Sequence, residues 1–121
     1  RGDEEIAFVA VSQNGVLLRC ASEDLQNNPK IAHAAMHNSS LAIEHVGKKL
    51  QKNIAAMIDI AKDAKSMEYS MRYASQGLRD NEDFIDAMVM YHGLKLLEFA
   101  SARLRSDQSF MNTMLKYYRP K

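Results

Sequence analysis

Cysteine, tryptophan and proline are scarce in this chain of 121 residues, which has one cysteine, no tryptophan and two prolines. The single cysteine, Cys20, excludes an intramolecular disulfide framework and a zinc site built on cysteines. It favours a reducing compartment, so we expect a cytoplasmic protein. The chain also lacks any apolar run near the roughly 20 residues of a membrane span. We therefore expect no membrane partner.

An excess of charge of either sign is also missing, since 16 Lys and Arg stand against 15 Asp and Glu. This balance argues against a nucleic-acid partner, which usually requires a basic excess. With 46% apolar and 26% charged residues, the composition is typical of a globular protein. Residues 1–121 fit a single domain, in which about two thirds of the unfolded surface can be buried. The five glycines form no phosphate loop or cofactor fingerprint, so we expect no cofactor and no enzyme activity.

Short polar residues that precede an apolar residue by three positions recur along the chain. The pairs are Asp3 and Ile6, Asn28 and Ile31, Asn53 and Ala56, Asn81 and Phe84, and Asp107 and Phe110, with spacings of 25, 25, 28 and 26 residues. Asp and Asn are preferred helix N-caps because the side-chain oxygen accepts from an N–H group two or three residues later. Each pair therefore predicts the start of a helix. Pro29 strengthens the prediction at Asn28, since proline suits the first helical position.

A second pattern, an apolar residue followed by two small residues and a leucine, recurs in step with the first. Its members are Leu18, Ala21, Ser22 and Leu25; Ile43, Val46, Gly47 and Leu50; Met71, Ala74, Ser75 and Leu78; and Leu97, Ala100, Ser101 and Leu104. The four leucines are 25, 28 and 26 residues apart. Two independent residue sets share one irregular spacing, which indicates a true repeat. We call the final residue of each set the repeat leucine.

Each repeat is predicted to be a helical hairpin, because the apolar residues of the first arm follow the helical period. The predicted units are residues 3–27, 28–52, 53–80 and 81–106, with a half-unit at 107–118 that ends before Arg119-Pro120-Lys121. Turns are expected at Asn14-Gly15, at Asn38-Ser39-Ser40 and at Gly93. Only Ser66 marks a turn in the third unit, which predicts a longer first helix or one nearly continuous with the second.

The predicted fold is all-α, a short α-solenoid of four stacked hairpins plus a terminal helix. In each second helix the two small residues would let a neighbouring helix approach closely. Each unit would bury its apolar side against the next unit.

Possible catalytic or metal-binding groups are few. His33 and His37 lie one helical turn apart and could share a metal, but no third ligand is fixed by the sequence, so we expect structural or solvent-facing histidines. Cys20 and His45 occupy equivalent places in adjacent units, so they could lie side by side as a thiolate nucleophile and its base. The favoured interpretation of Cys20 is instead a buried apolar thiol. Two groups of acidic residues also occur. The first, Asp59 with Asp63, is interpreted as part of a solvated face. The second, an acidic cluster of Asp80, Glu82, Asp83 and Asp86, is interpreted as acids at the start of a helix.

The terminal half-unit is apolar on one side yet has no second helix to cover it. Its candidate interaction residues are Phe110, Met111, Met114, Leu115, Tyr117 and Tyr118. Two explanations are open: the helix folds back as the terminal cap of the array, or two copies form a symmetric homodimer through it.

The string from Ala10 to Leu25, AVSQNGVLLRCASEDL, and its echo LEFASARL at 97–104, resemble a bacterial tandem-repeat family with units of the form A-x4-G-x2-L-x2-A-S-x2-L-x2-D/N. That family is known as a domain of unknown function and occurs in proteins secreted by intracellular bacterial pathogens. The match is degraded in the second unit, where Ser40 replaces the glycine and Gly47 the serine. The resemblance implies a fold and no catalytic residue. In size and helical class the chain is also similar to a small dimeric inhibitor of ubiquitin-deamidating effectors.

Without a site for chemistry, the sequence favours a non-catalytic protein-binding role. The expected function is that of a regulator or inhibitor that masks a bacterial effector enzyme, such as a ubiquitin deamidase or transglutaminase, in the bacterial cytoplasm or the host cytosol. Two alternatives are a small metal-dependent hydrolase or transferase that uses His33 and His37, and a structural fragment of a longer repeat array.

Overall fold

The computed structural model describes residues 2–118, so Arg119-Pro120-Lys121 lies outside the described residues. Within that range the chain forms ten α-helices and three 3₁₀ helices and contains no strand. The predicted all-α class is therefore confirmed. None of the helices in this range is both long and apolar enough to cross a membrane.

The elements follow one another in a regular order of a longer α-helix, a middle segment and a short α-helix. They are α1 (Gly2–Gln13), η1 (Gly15–Cys20), α2 (Glu23–Gln26), α3 (Pro29–Asn38), η2 (Ser40–His45), α4 (Lys48–Lys52), α5 (Ile54–Ala61), α6 (Met67–Tyr73), α7 (Gln76–Arg79), α8 (Glu82–His92), η3 (Leu94–Phe99), α9 (Ala102–Arg105) and α10 (Gln108–Tyr118), where η marks a 3₁₀ helix.

Four of the five predicted N-caps are confirmed. The side chains of Asn28, Asn53, Asn81 and Asp107 accept from the N–H groups of Ile31, Ala56, Phe84 and Phe110, respectively. The prediction at Asp3 was wrong, because α1 already includes Gly2. Asp3 lies instead in the first turn of α1, where a carboxylate interacts favourably with the positive end of the helix dipole.

The predicted second helix of each hairpin is not continuous. In the first unit η1 ends at Cys20, Ala21 and Ser22 are extended, and a four-residue helix follows. The Ser22 hydroxyl accepts from the Leu25 N–H, and Ser75 and Ser101 do the same for Leu78 and Leu104. The small pair therefore divides the arm, and its serine starts a new helix rather than making room for a neighbour. The physical reason is that a serine hydroxyl offers the backbone a bond that competes with continuing the helix.

The third unit also departs from its prediction. Its first helix, α5, has eight residues and ends at Ala61, so it is short rather than long. The extra residues form the link 62–66, whose Ala64 is buried. Ser66 precedes α6 as expected, although its side chain makes no capping hydrogen bond. In this unit the middle segment is an α-helix instead of a 3₁₀ helix.

Packing follows chain order in two layers. In the first layer, the longer helices α1, α3, α5, α8 and α10 each contact the next one. In the second layer, η1, η2, α6 and η3 do the same. Between the layers, the first residue of each second pattern is buried: Leu18, Ile43 and Met71 are 0% exposed and Leu97 is 7% exposed. The repeat therefore positions equivalent side chains side by side along the molecule.

Candidate protein-interaction surfaces

The terminal helix α10 packs onto α8, α9 and η3. Phe110 and Met114 are buried, and Met111 and Tyr118 pack partly against the core. Leu115 and Tyr117 are 48% and 73% exposed. Four of the six predicted interaction residues therefore serve the chain's own core, as the terminal-cap explanation requires. Two remain free for a partner.

Leu115 is exposed because no second arm follows α10 within residues 2–118. The equivalent side chains of the four preceding units are at most 2% exposed, and they are Val11, Met36, Ala61 and Val89. Three residues after Leu115, at the last residue of α10, the Tyr118 hydroxyl donates a hydrogen bond to Asp86 on α8. That bond, together with burial, raises the pKa of Tyr118 to about 12. The C-terminal end of α10 is thus attached to α8 by a polar contact as well as by packing.

Exposed aromatic and aliphatic side chains also gather on the second layer, on a surface we call the tyrosine face, formed by Leu41, Tyr69 and Tyr73. Tyr69 and Tyr73 lie one turn apart on α6 and are 61% and 46% exposed. Leu41 lies on η2, which packs against α6, at the place equivalent to Tyr69, and is 41% exposed. The sequence reasoning did not single out Tyr69. The signal that it missed is that an apolar side chain recurs at an outward position of adjacent units.

The N-terminal end of the array also exposes apolar side chains. Ile6 and Val9 are 70% and 55% exposed, whereas Ile31 and Phe84, which occupy the places equivalent to Ile6, are 0% exposed. No unit of the described chain precedes α1 to cover them. Ile6 and Val9 are therefore exposed at positions that a preceding unit would cover in a repeat of this kind.

The histidine pair lies on the surface of α3. The rings of His33 and His37 stack with centroids 6.4 Å apart, and His33 Nε2 lies 3.5 Å from Asp63 Oδ2. Nearby, Lys62 bonds to Asp59 at 2.9 Å and holds the pKa of that carboxyl below its usual value. No group of three possible metal-ligating side chains occurs between residues 2 and 118. The geometry is that of paired polar side chains on the surface.

Cys20 is exposed at the end of η1, so the prediction of a buried thiol was wrong. It is exposed because the chain leaves the 3₁₀ helix there, with Ala21 and Ser22 extended. His45, at the equivalent place in η2, lies 3.7 Å from its neighbour Glu44. Among the described residues no hydrogen bond links Cys20 to His45, so the structure does not pair a thiolate with a base.

One member of the acidic cluster joins two units. Asp80 accepts from the Ser101 hydroxyl at 2.5 Å and from Arg103 Nε at 2.9 Å. These two donors hold the pKa of Asp80 below its usual value. Glu82 and Asp83 lie in the first turn of α8, as predicted. The cluster therefore serves helix starts and the contact between units.

Main-chain hydrogen bonds close two of the junctions between units. The Gly47 N–H donates to the Gln26 carbonyl, and the Ser101 N–H donates to the Arg79 carbonyl, both at 2.8 Å. In each case the acceptor directly follows a repeat leucine, and the donor lies three residues before the next one. At the first junction Asn27 also accepts from the Leu50 N–H at 3.0 Å.

The residue after each repeat leucine has a role that the sequence reasoning missed. Gln26, Gln51, Arg79 and Arg105 each donate a side-chain N–H to a carbonyl near the end of a middle segment. The available signal was that a long side chain with an N–H group follows all four leucines.

The junction between the second and third units is different, because a groove of about 1030 Å³ opens there. Its lining includes Lys48 and Lys52 of α4, Glu44 and His45 of η2, Gln51, and Ser75. The Gln51 carbonyl and the Ser75 N–H, which are equivalent to the bonded pairs, do not bond to each other. Gln51 Oε1 is buried without a donor.

Comparison with known proteins finds a family similarity for one part of the chain. No curated protein and no solved structure gave a match. A family model matches residues 3–51, which correspond closely to the first two predicted units. The expected resemblance to a domain of unknown function is thus confirmed at that level, while the repeat motif written above stays a prediction. Over residues 3–51 the chain is similar to the family described as Domain of unknown function (DUF4116).

Proposed function

We propose that this chain is a non-catalytic protein-binding module that masks a surface of another protein. The tyrosine face is the observation that carries the proposal. Its three members belong to adjacent, packed segments, so their positions are fixed relative to one another before a partner arrives.

The chemistry of the tyrosine face suits recognition of a protein. Tyrosine is enriched at interfaces because its ring offers a large apolar area and its hydroxyl a hydrogen bond, with little loss of side-chain entropy. Interface residues of this kind commonly contribute most of the binding free energy. At one edge, Glu68 and Lys95 form an ion pair that can serve as a polar rim.

In its most specific form, the proposal is that of a regulator or inhibitor of a bacterial effector enzyme, such as a ubiquitin deamidase or transglutaminase. The module would act in the bacterial cytoplasm or in the host cytosol. Support for this form comes from the resemblance to repeats of secreted bacterial proteins and from the balance of 16 Lys and Arg against 15 Asp and Glu in the chain. A homodimer is part of the same proposal, and it would now depend on Leu115 and Tyr117.

The test begins by capturing the partner. Tyr69 is replaced with the photoreactive analogue p-benzoylphenylalanine in the organism that encodes the chain, and cross-linked proteins are identified by mass spectrometry. The same substitution at Tyr117 is the matched control, since both tyrosines are exposed. We expect a partner that is cross-linked from position 69 and not from position 117.

The purified partner then allows a quantitative comparison by calorimetry. Tyr69→Ala and Tyr73→Ala should each weaken binding by roughly tenfold or more, since hot-spot truncations cost about 2 kcal/mol. Tyr91→Ala, on the first layer, should leave the affinity unchanged. If the partner is an enzyme, its activity should fall as the wild-type chain is added. Equal affinity of all three variants would refute the role of the tyrosine face.

A further inference from the structure

Each helix of the first layer has one side that faces the preceding unit, and α1 leaves this side open. On α10 the side holds Phe110 and Met114, which are 7% and 4% exposed although no element follows α10 within residues 2–118. On α1 the equivalent residues are Ile6, which is 70% exposed, and Ala10, which is partly buried. The same two places are 0% exposed in α3 and α8, at Ile31 with Ala35 and at Phe84 with Met88.

The opposite side of these helices faces the elements that follow, and α10 leaves that side open. Leu115 is 48% exposed there, whereas its equivalent on α1, Val11, is 2% exposed although no described unit precedes α1. One turn earlier, Met111 is only partly buried. Its equivalents in α3, α5 and α8 are 0% exposed, and they are Ala32, Met57 and Ile85. The two ends of the described array therefore have the two complementary halves of an internal junction.

A polar contact recurs at the internal junctions and provides a second, independent observation. The residue ten or eleven positions after the start of a unit reaches the unit before it. Asn38 donates to the Ser12 carbonyl at 3.1 Å, Asp63 lies 3.5 Å from His33, His92 bonds to the Ala61 carbonyl at 2.9 Å, and Tyr118 donates to Asp86. In the first unit this place holds Gln13, whose side chain is exposed and has no preceding unit to reach within residues 2–118.

We infer that the chain binds a second copy of itself head to tail, with α1 of one copy packed against α10 of the other. Ile6 and Ala10 then cover Met111 and Leu115, as equivalent residues do inside the array. The Gln13 amide reaches Asn112, which holds the place that His33 and Asp86 hold in their own units. The contact continues the first layer from one copy into the next.

The residues that meet in this contact are uncharged. The charges of α1 lie in its first turn, at Asp3, Glu4 and Glu5, and the single charge of α10 lies near its other end, at Lys116. Because the contact joins two different faces, a dimer still has one open α1 and one open α10, so association continues beyond two copies.

The head-to-tail contact differs from the symmetric homodimer considered above. In the symmetric form α10 contacts its own counterpart and Ile6 stays exposed, whereas the head-to-tail contact covers both open sides. The inference also goes beyond the proposed function, because it uses neither the tyrosine face nor a foreign partner. The two can therefore fail separately.

The first experiment is sedimentation velocity of the full chain at tens to hundreds of micromolar. We expect the average mass to rise with concentration and to pass that of a dimer. A wild type that stays monomeric, or whose mass stops at two copies, would overturn the inference.

Two variants, each altered at one open side, test which faces meet. Ile6→Glu and Leu115→Glu change exposed side chains, so both proteins should fold, which circular dichroism checks. Each variant alone should be monomeric, because one buried carboxylate should weaken the contact roughly tenfold or more. An equimolar mixture should form a dimer with one copy of each, since Ile6→Glu retains an intact α10 and Leu115→Glu an intact α1.

Every other pattern contradicts the head-to-tail contact. A symmetric dimer would persist in Ile6→Glu alone, and a mixture that stayed monomeric would show that the two intact faces do not bind each other. Met90→Glu is the matched control, since Met90 is 54% exposed on the internal helix α8 and should leave association unchanged. Tyr69→Ala should also leave it unchanged, whereas loss of association in that variant would place self-binding on the tyrosine face and refute the inference.

Discussion

At the scale of single residues, Gly47 and Asn27 form one functional pair across a junction. The other three units have a serine in the place of Gly47, and that serine caps the following short helix. Gly47 has no side chain for this role, and Asn27 of the preceding unit caps the helix instead. A Cβ on Gly47 would lie 2.1 Å from Asn27 Oδ1, so the glycine also provides the space for its substitute.

This exchange predicts a compensating pair of substitutions. Gly47→Ser should lower the free energy of unfolding by about 1 to 3 kcal/mol because the new side chain collides with Asn27. Asn27→Ala alone should cost about 1 kcal/mol through the lost cap. The double variant should be close to the wild type, since the introduced serine would then cap the Leu50 N–H as the other serines cap their helices. Urea unfolding of the four proteins measures the coupling, and simply additive losses would contradict the prediction.

Asp80 predicts a pH dependence at the junction between the third and fourth units. Hydrogen bonds from Ser101 and Arg103 lower its pKa in the folded chain below the ordinary value of 3.8. The stability that this carboxylate contributes is therefore present above pH 3.8 and is lost as the pH falls through the lower, folded pKa. Urea unfolding of the wild type and Asp80→Asn between about pH 2 and pH 7 should show a difference that disappears at the acid end. A difference that grows with acidity would have the wrong sign.

At the scale of the elements, the starts of helices were predictable and the shape of the second arm was not. Asn28, Asn53 and Asn81 act through bonds to residues two or three positions away, so the local sequence contains their whole effect. Ser22 and Ser101 also act on residues only three positions away, but a small residue beside an alanine suits close helix packing as well. The sequence does not distinguish these two uses without the neighbouring unit. The same limit applies to Asn27, whose partner Leu50 is 23 residues away.

The repeat leucines predict a graded loss of stability. Leu50 is 4% exposed, and Leu50→Ala should lower the free energy of unfolding by about 2 to 5 kcal/mol, through lost burial and the cavity left behind. Leu25, at the equivalent place in the first unit, is only partly buried. Leu25→Ala should therefore cost less. Equal losses in urea unfolding would show that exposure does not set the contribution of this position.

At the scale of the whole molecule, the interaction surfaces were the least predictable feature. The sequence marks Phe110 and Met114 as apolar, but their burial depends on the distance to α8 and η3, which only the packed array fixes. The tyrosine face and the groove likewise arise from residues of different units. Patterns within one unit therefore predict its helices, whereas a binding surface requires the register between units.

The homodimer can now be tested without disturbing the fold. Met114 is buried, so a charge there would destabilise the chain itself. Leu115→Glu changes an exposed side chain at the end of the array. If two copies associate through α10, sedimentation at tens of micromolar should give a dimer for the wild type and a monomer for Leu115→Glu. A monomeric wild type would rule out this dimer.

The open junction has a mechanical consequence. Stretching the chain from its two ends loads every junction in series, and the strain concentrates where no main-chain bond resists shear. Between the second and third units that resistance comes from side-chain contacts, which include the approach of His33 Nε2 to Asp63 Oδ2 at 3.5 Å. The molecule should therefore behave as two stiff blocks joined by a compliant seam, which yields before either block does.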